Sequence, residues 1–390
     1  MVKTKDFSTR TNFIERKNAS TADAWGVALD IGYSAVKGMS PNMVFCFPSF
    51  ARKIAGAMIA VGEPGPDDIQ YKDENGDIWN VGSMAQSMIS SNDSNDSIQS
   101  LYGRNRYFSP MFKVLALTGL GIGMTNNEFG KVASKEIRVQ TGLPPAYLRS
   151  DAVYLKEVLA GHHTFELRVG NAPWKQYDFT LEEDNIRVMA QPMGSFLSAF
   201  KTNTADWVPE INAHMAAKTL VFDAGFGTVD TYAIHNRQII ASESYDNCGM
   251  KAVFMDLTEK VYQKYHTEIP VHALQGNLKD GYIKTFDRRA MKTTNVKFDD
   301  LLEKSNKKVC MDAIEQIKQR YNNLLDYDYL LVTGGTGAAW LDIITEHFAG
   351  MEGLKIITGN QNDTLSHIYS NVRGYYLHQV SQLKKAAKNS

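Results

Sequence analysis

The chain has 390 residues, 43% of them hydrophobic, which is length and apolar content for two ordinary domains with sizeable cores. Its 42 basic and 43 acidic residues nearly balance, so nothing requires a whole-surface attraction to nucleic acid, and any link to DNA is expected to be indirect. The three cysteines, Cys46, Cys248 and Cys310, have no metal-ligand spacing and are assigned to packing in a reducing compartment.

Met1 to Asp23 is rich in Ser, Thr, Asn and charge, shows no period and reads as a solvated tail, a contact arm between subunits being the alternative, without the apolar core of a signal peptide. The most apolar long stretch, Met111 to Met124, is broken by three glycines and is too short to span a bilayer. A cytoplasmic protein with no membrane contact is therefore expected. The fold is expected to start near Trp25. Val27 to Gly38, VALDIGYSAVKG, gives an apolar strand, Asp30, then Gly32, Tyr33, Ser34 and Lys37. Glycine permits torsions other residues resist, so such a turn can aim N–H groups at a phosphate. Met43 to Phe50 reads as a strand ended by Pro48, and Ile69 to Gly82 as a hairpin around Asp73, Glu74, Asn75 and Gly76. Trp79 is expected in the core, a surface role being the alternative. Ser91 to Ser100 is a low-complexity polar loop. Ser109 to Met124 reads as a helix with Pro110 near its first turn, and Ile137 to Leu143 as a strand. A helix over Ser150 to Leu159 would be capped by Ser150 or Asp151. Strands follow at Thr164 to Val169, Tyr177 to Leu181 and Ile186 to Ala190, the last delivering Gln191 and Pro192 into a helix that reaches Lys201.

Leu220 to Tyr232, LVFDAGFGTVDTY, repeats the grammar of the first turn. A buried strand ends at Asp223, the turn Gly225, Phe226, Gly227, Thr228 follows, and Asp230 opens a second strand. A carboxylate beside such a turn cannot help by touching an anion. It can hold a magnesium-bound water or orient an attacking one. Two such turns point to two related halves gripping one polyphosphate. Ile239 to Tyr245 is a strand, and Lys251 to Tyr265 a helix with Val253, Leu257 and Val261 on one face. Gly276 to Thr294, holding Lys279, Lys284, Arg288, Arg289 and Lys292, reads as irregular, basic and solvated, a filament contact or adaptor site being the alternative. After a long helix at Phe298 to Leu325 comes the strand Tyr329 to Thr333 and an uncharged turn, Gly334, Gly335, Thr336 and Gly337, which suits the close approach of a nucleoside. Ala338 to His347 is a helix, Ile356 and Ile357 mark a strand, and Asn371 to Val380 begins the closing helix.

The three turns DIGYSAVKG, DAGFGTVD and VTGGTGA resemble the phosphate-1, phosphate-2 and adenosine motifs of the actin, sugar-kinase and heat-shock chaperone ATPase superfamily. The proline-ended strand and the hairpin after it resemble those of ParM-type bacterial actins. That resemblance implies an α/β, actin-like (ribonuclease-H-like) fold of two lobes with a nucleotide cleft between them. Residues 1–23 would be a flexible tail, 24–200 domain I with helix 366–390 returning to it, and 201–365 domain II with a helical lid at about 245–325. It implies ATP, with GTP open, and Mg2+ held through waters by Asp30 and Asp223. Lys37 would neutralise phosphate charge, Gly32 to Ser34 and Gly225 to Thr228 would bind phosphates, and Gly334 to Gly337 the nucleoside. Asn247 to Gly249 is similar to a turn near the nucleotide in related proteins.

By the same resemblance Gln191 would place the attacking water. ParM-type proteins resemble each other in carrying a glutamate there, whereas conventional actin carries a glutamine. A neutral amide orients water but accepts protons poorly, so slow hydrolysis is expected. The implied function is a nucleotide-dependent filament that hydrolyses ATP in the polymer and segregates plasmid DNA through a DNA-binding adaptor at a centromere-like site. The alternatives are a filament scaffold not dedicated to plasmids and a small-molecule kinase of the superfamily. The kinase needs a general-base carboxylate in a first-lobe substrate pocket, for which chain order offers no clear candidate.

Overall fold

The computed structural model describes residues 4–54, 64–88, 104–287 and 291–389. Ser91 to Ser100, Arg288, Arg289 and the first three residues of the expected tail lie outside the described residues.

Apolar runs bounded by Gly, Pro, Asn and Asp form strands here. One compact unit is made of Thr9–Met88, Gln99–His214 and Thr358–Ser390. Its strands are β1 (Asn12–Glu15), β2 (Ala24–Ile31), β3 (Ala35–Ser40), β4 (Met43–Pro48), β5 (Ala51–Lys53), β6 (Ile69–Lys72), β7 (Ile78–Val81), β8 (Glu136–Leu143), β9 (Gly161–Val169), β10 (Lys175–Leu181) and β11 (Ile186–Ala190). They make a six-stranded sheet, β1-β4-β3-β2-β8-β11, and a five-stranded sheet, β10-β9-β6-β7-β5. In the first, β2 and β11 run parallel to β8 and the other neighbours are antiparallel.

Every residue of β2 is buried, as expected of a strand covered on both faces. The period-2 alternation sorts the faces. Leu29 and Val36 lie against Gly119, and Val27 against Gly123, in the helix Pro110–Gly123. Ala28, Ala35 and Met39 share a cluster with Tyr376, Leu377 and Val380 of the helix Ser370–Asn389. That helix also meets the helix Gln191–Phe200 at backbone contact. A Cβ on Gly374 would stand 1.7 Å from the Gly194 carbonyl oxygen, so the crossing requires glycine.

The other unit is built on Met215–Ile357. Its strands are β12 (Thr219–Ala224), β13 (Thr228–His235), β14 (Gln238–Asp246), β15 (Tyr282–Asp287), β16 (Lys292–Lys297), β17 (Tyr329–Thr333) and β18 (Lys355–Thr358). The main sheet has the order β14-β13-β12-β17-β18, with β12 parallel to β17 and antiparallel to β13. Three antiparallel strands with a parallel neighbour beside the first thus occur as β2, β3, β4 with β8 and again as β12, β13, β14 with β17. The helices Met250–Tyr265, Asp299–Arg320 and Gly335–Phe348 accompany this sheet. Fully buried Trp340 packs on Phe222 and donates its indole N–H to Asn306 Oδ1 at 2.8 Å, joining the last two helices to the sheet.

Three expectations are corrected. The tail is not solvated throughout, because β1 pairs with Met43–Cys46 of β4 and Arg16 grips Asp363. A four-residue strand is too short to show a period in sequence, and the ionic partner of Arg16, the residue after it, lies 347 residues away. The basic stretch after Gly276 is not irregular, since β15 and β16 form an antiparallel hairpin anchored by fully buried Ile283. Lys279, Lys284 and Lys292 do sit in solvent. Neither Ser150 nor Asp151 caps its helix, which begins earlier, at Leu148. Among the described residues no helix is long and apolar enough to cross a membrane.

Candidate functional site

In the first unit the hairpin of β2 and β3 sets Asp30 opposite Lys37, whose Nζ lies 3.2 Å from Asp30 Oδ2. The parallel strand β11 stops at Ala190, so the first residue of the following helix, Gln191, brings Nε2 to 3.4 Å from Asp30 Oδ1. The structure therefore brings Asp30, Lys37 and Gln191 together. Asp30 is only 3% exposed, a placement costly for a lone carboxylate and offset by the ammonium and the amide.

The glycine turn is fixed from behind. Gly32 N–H donates to Ala35 O at 3.0 Å, Ser49 Oγ to Gly32 O at 2.7 Å and Ser49 N–H to Ser34 O at 3.0 Å. Arg106, 7% exposed, stacks 4.7 Å from the Tyr33 ring centre and donates to the Ile31 carbonyl. Ser49 and Arg106 are supports that sequence reasoning missed.

In the second unit Asp223 stands near the end of β12, 4% exposed, directly across from Asp230 in β13. Asp230 accepts Thr228 Oγ1 at 2.8 Å and Ser244 Oγ at 2.5 Å. Burial raises its pKa to about 7 from 3.8 against the pull of the two hydroxyls, and Asp223 adds to the rise. Ser244 gives no sequence signal. Because the folded state holds this proton more tightly than the unfolded chain does, its contribution to stability is full below about 3.8 and is lost as pH rises through about 7. Asp230→Asn, which carries no titrating proton, is expected to flatten the dependence of the urea midpoint on pH across that window. An unchanged slope would show that Asp230 is ionised throughout.

The turn after Asp223 is wedged between two helix starts. Gly225 N–H closes on Thr228 O at 2.9 Å. Gly225 O accepts Met250 N–H at 3.2 Å and Thr336 Oγ1 at 2.6 Å, while Phe226 O accepts Lys251 N–H at 2.8 Å. Gly249 is a tight fit, since a Cβ there would stand 2.5 Å from both Gly225 O and Phe226 O. Asp223 and the turn Gly225, Phe226, Gly227, Thr228 are thus gathered with Gly334, Gly335, Thr336 and Gly337. The expected third turn is shorter than the sequence implied. Only Gly334, with φ of 84°, is a turn residue, and Gly335, Thr336 and Gly337 already belong to the helix Gly335–Phe348. Its first N–H groups have no intrahelical acceptor and carry the positive end of the helix dipole, a favourable place for an anionic or acceptor-rich ligand. Among the described residues no group of three or more His, Cys, Asp or Glu is placed to hold a metal directly.

Residues 28–194 match the family of actin-like proteins' N-terminal domain. Among solved structures the chain is similar to a non-polymerisable quadruple mutant of pCBH ParM, at 18% identity over 93% of this chain and 100% of that one, with a TM-score of 0.69. It is similar to the 15-stranded ParM filament from Clostridium botulinum at 18% identity, 93% and 100% coverage and a TM-score of 0.66. An archaeal actin homologue in complex with ADP aligns at 16% identity, 94% and 100% coverage and a TM-score of 0.59. No curated protein sequence matches the chain.

Proposed function

We propose that this chain, an actin-like protein with the ParM-type fold, is a filament-forming cytoplasmic ATPase that hydrolyses ATP in the polymer and segregates plasmid DNA through an adaptor. The observation that carries the reading is the meeting of Asp30, Lys37 and Gln191 at the end of β2. Gln191 spends its amide N–H on Asp30, which leaves Oε1 as the acceptor for a water proton. An amide so fixed positions the water and does not deprotonate it, so slow turnover is expected. Lys37 neutralises charge near the phosphates, and the turns Gly32 to Ser34 and Gly225 to Thr228 bind them through the N–H groups that follow Gly32 and Gly225, whose own N–H groups close the turns on Ala35 O and Thr228 O.

Asp30 and Asp223 are both buried carboxylates beside a glycine turn, which suits a hard cation that keeps most of its waters. Mg2+ bound there would supply charge neutralisation on the phosphates. Gly334 to Gly337 take the nucleoside, and because they offer only backbone and small side chains, GTP stays open beside ATP. That a similar ParM builds a filament supports self-association. The DNA-binding adaptor at a centromere-like site rests on the resemblance to ParM-type proteins, and the near-neutral charge favours an indirect DNA contact.

Light scattering on adding ATP and magnesium, with negative-stain microscopy of the same samples, tests this. Scattering should rise with filaments on the grid and persist longer with a non-hydrolysable analogue. Gln191→Ala should still polymerise, while phosphate release slows by about 10²-fold. Bound nucleotide with flat scattering at every protein concentration would refute the filament. A fast-hydrolysing Gln191→Ala would remove Gln191 from the chemistry.

A further inference from the structure

In the sheet β10-β9-β6-β7-β5, β10 has a neighbour on one side only among the described residues. A free edge presents alternate N–H and C=O groups to any extended chain, and native proteins usually keep such edges short or covered. This one is 7 residues long. Beside it lies a groove of about 660 Å³, walled opposite by Met124, Asn126 and residues 132–137.

The charges lining the groove are unevenly satisfied. Lys175, half-buried at the start of β10, reaches only the Met124 carbonyl at 3.4 Å and stands 4.5 Å from the Tyr177 ring centre. Lys135 reaches the Thr21 carbonyl at 3.4 Å and stands 5.8 Å from the Trp25 ring centre. Among the described residues neither lysine makes an ion pair, and burial pulls the Lys175 pKa down, a cost that an incoming carboxylate would relieve. The acids nearby are engaged or distant. Glu136 accepts from Arg138 at 2.7 Å and Asn185 at 2.9 Å, Asp178 accepts from Thr164 at 3.4 Å, and Glu182 follows the far end of the strand. The groove therefore holds two ammonium groups without an ion pair, Lys135 and Lys175, while Glu136 beside them is paired with Arg138 and the carboxylates of Asp178 and Glu182 lie about 10 and 20 Å further along β10.

We propose that this edge binds an extended acidic peptide of a partner protein by strand addition, with the peptide's carboxylates at the Lys135 and Lys175 end. Backbone pairing with β10 supplies affinity, and the two ammonium groups supply direction and preference for acid. The site lies within one unit and uses none of the residues assigned to the nucleotide, so it stands or falls apart from the function proposed above.

The probe is a labelled synthetic peptide of alternating valine and threonine with two glutamates at one end, titrated into the full chain by fluorescence anisotropy, with the same peptide carrying two lysines at that end as its mirror in charge. The acidic peptide should bind saturably, at least about tenfold tighter than the basic one. Hydrogen exchange should slow within residues 175–181 on binding. The double variant Lys135→Glu, Lys175→Glu should weaken the acidic peptide at least about tenfold. Equal binding of the two peptides, or none at millimolar concentration, would overturn the proposal. So would protection that spares β10, or protection of β10 that follows protein concentration and ignores peptide, which would give the edge to a second copy. The comparison of peptides on the unaltered chain keeps the test valid if the double variant fails to fold.

Discussion

Replacing Asp363 with alanine is expected to lower the free energy of unfolding by about 3–5 kcal/mol, measured by urea titration at neutral pH. Its side chain is 1% exposed and accepts from Arg16 at 2.9 and 3.1 Å and from Arg373 Nε at 3.0 Å. Arg373, also 1% exposed at its side chain, spends its remaining donors on Ser198 O at 2.6 Å and Asn203 Oδ1 at 2.7 Å, so it ties the C-terminal helix to the end of the helix Gln191–Phe200. Removing the carboxylate leaves a buried guanidinium with neutral partners only, which is the costly way to break such a pair. Arg16→Ala should cost less, because Arg16 is 23% exposed and water replaces part of what is lost. Burial pushes the Asp363 pKa up, but the hydrogen bond and charge of Arg16, with those of Arg373, outweigh it and hold the carboxyl below 3.8. The stabilisation is therefore complete above about 3.8 and disappears as pH falls below it. Asp363→Ala should flatten that acid limb. A loss under about 1 kcal/mol would mean that the cluster contributes no more than a surface pair.

What could be read from sequence follows the range of each interaction. Asp30, Gly32 and Lys37 lie within one hairpin, and strand-glycine-strand punctuation marks them. Gln191 is distant in sequence, but it sits where a strand hands over to a helix, and that junction is a local pattern. Ser49 and Arg106 support the same turn through contacts that tertiary placement alone creates, and a single serine or arginine carries no period. The hairpin of β15 and β16 was hidden because lysine and threonine on solvent-facing positions look like a solvated run. Gly335, Thr336 and Gly337 misled for a different reason. Glycine costs a helix about 1 kcal/mol, so GGTG reads as a turn, yet Gly337 lies inside the helix, where a Cβ would stand 3.3 Å from the Val332 side chain.

Gly334→Ala is expected to weaken nucleotide binding by at least about 100-fold, or about 2.7 kcal/mol. At φ 84° and ψ 163° the residue occupies a region that costs a side chain about 1–3 kcal/mol. A Cβ would also stand 2.2 Å from Ala224 O and 2.7 Å from Asp223 Oδ1. These atoms cannot yield cheaply, because Asp223 and Thr333 are register partners in the parallel pair of β12 and β17. The helix start must move instead, and the bond from Thr336 Oγ1 to Gly225 O goes with it. Both the phosphate turn and the helix N-terminus would then lose their alignment. Calorimetry with ADP reads the loss, and Gly350→Ala, where a Cβ meets nothing within 4 Å, should leave affinity unchanged. Thr336→Val, which removes one hydrogen bond without backbone strain, should weaken binding about tenfold and keeps the test usable if Gly334→Ala unfolds. Full affinity in both variants would take the Gly334 to Gly337 segment out of the nucleotide site and leave Asp30, Asp223 and their own turns to carry binding alone.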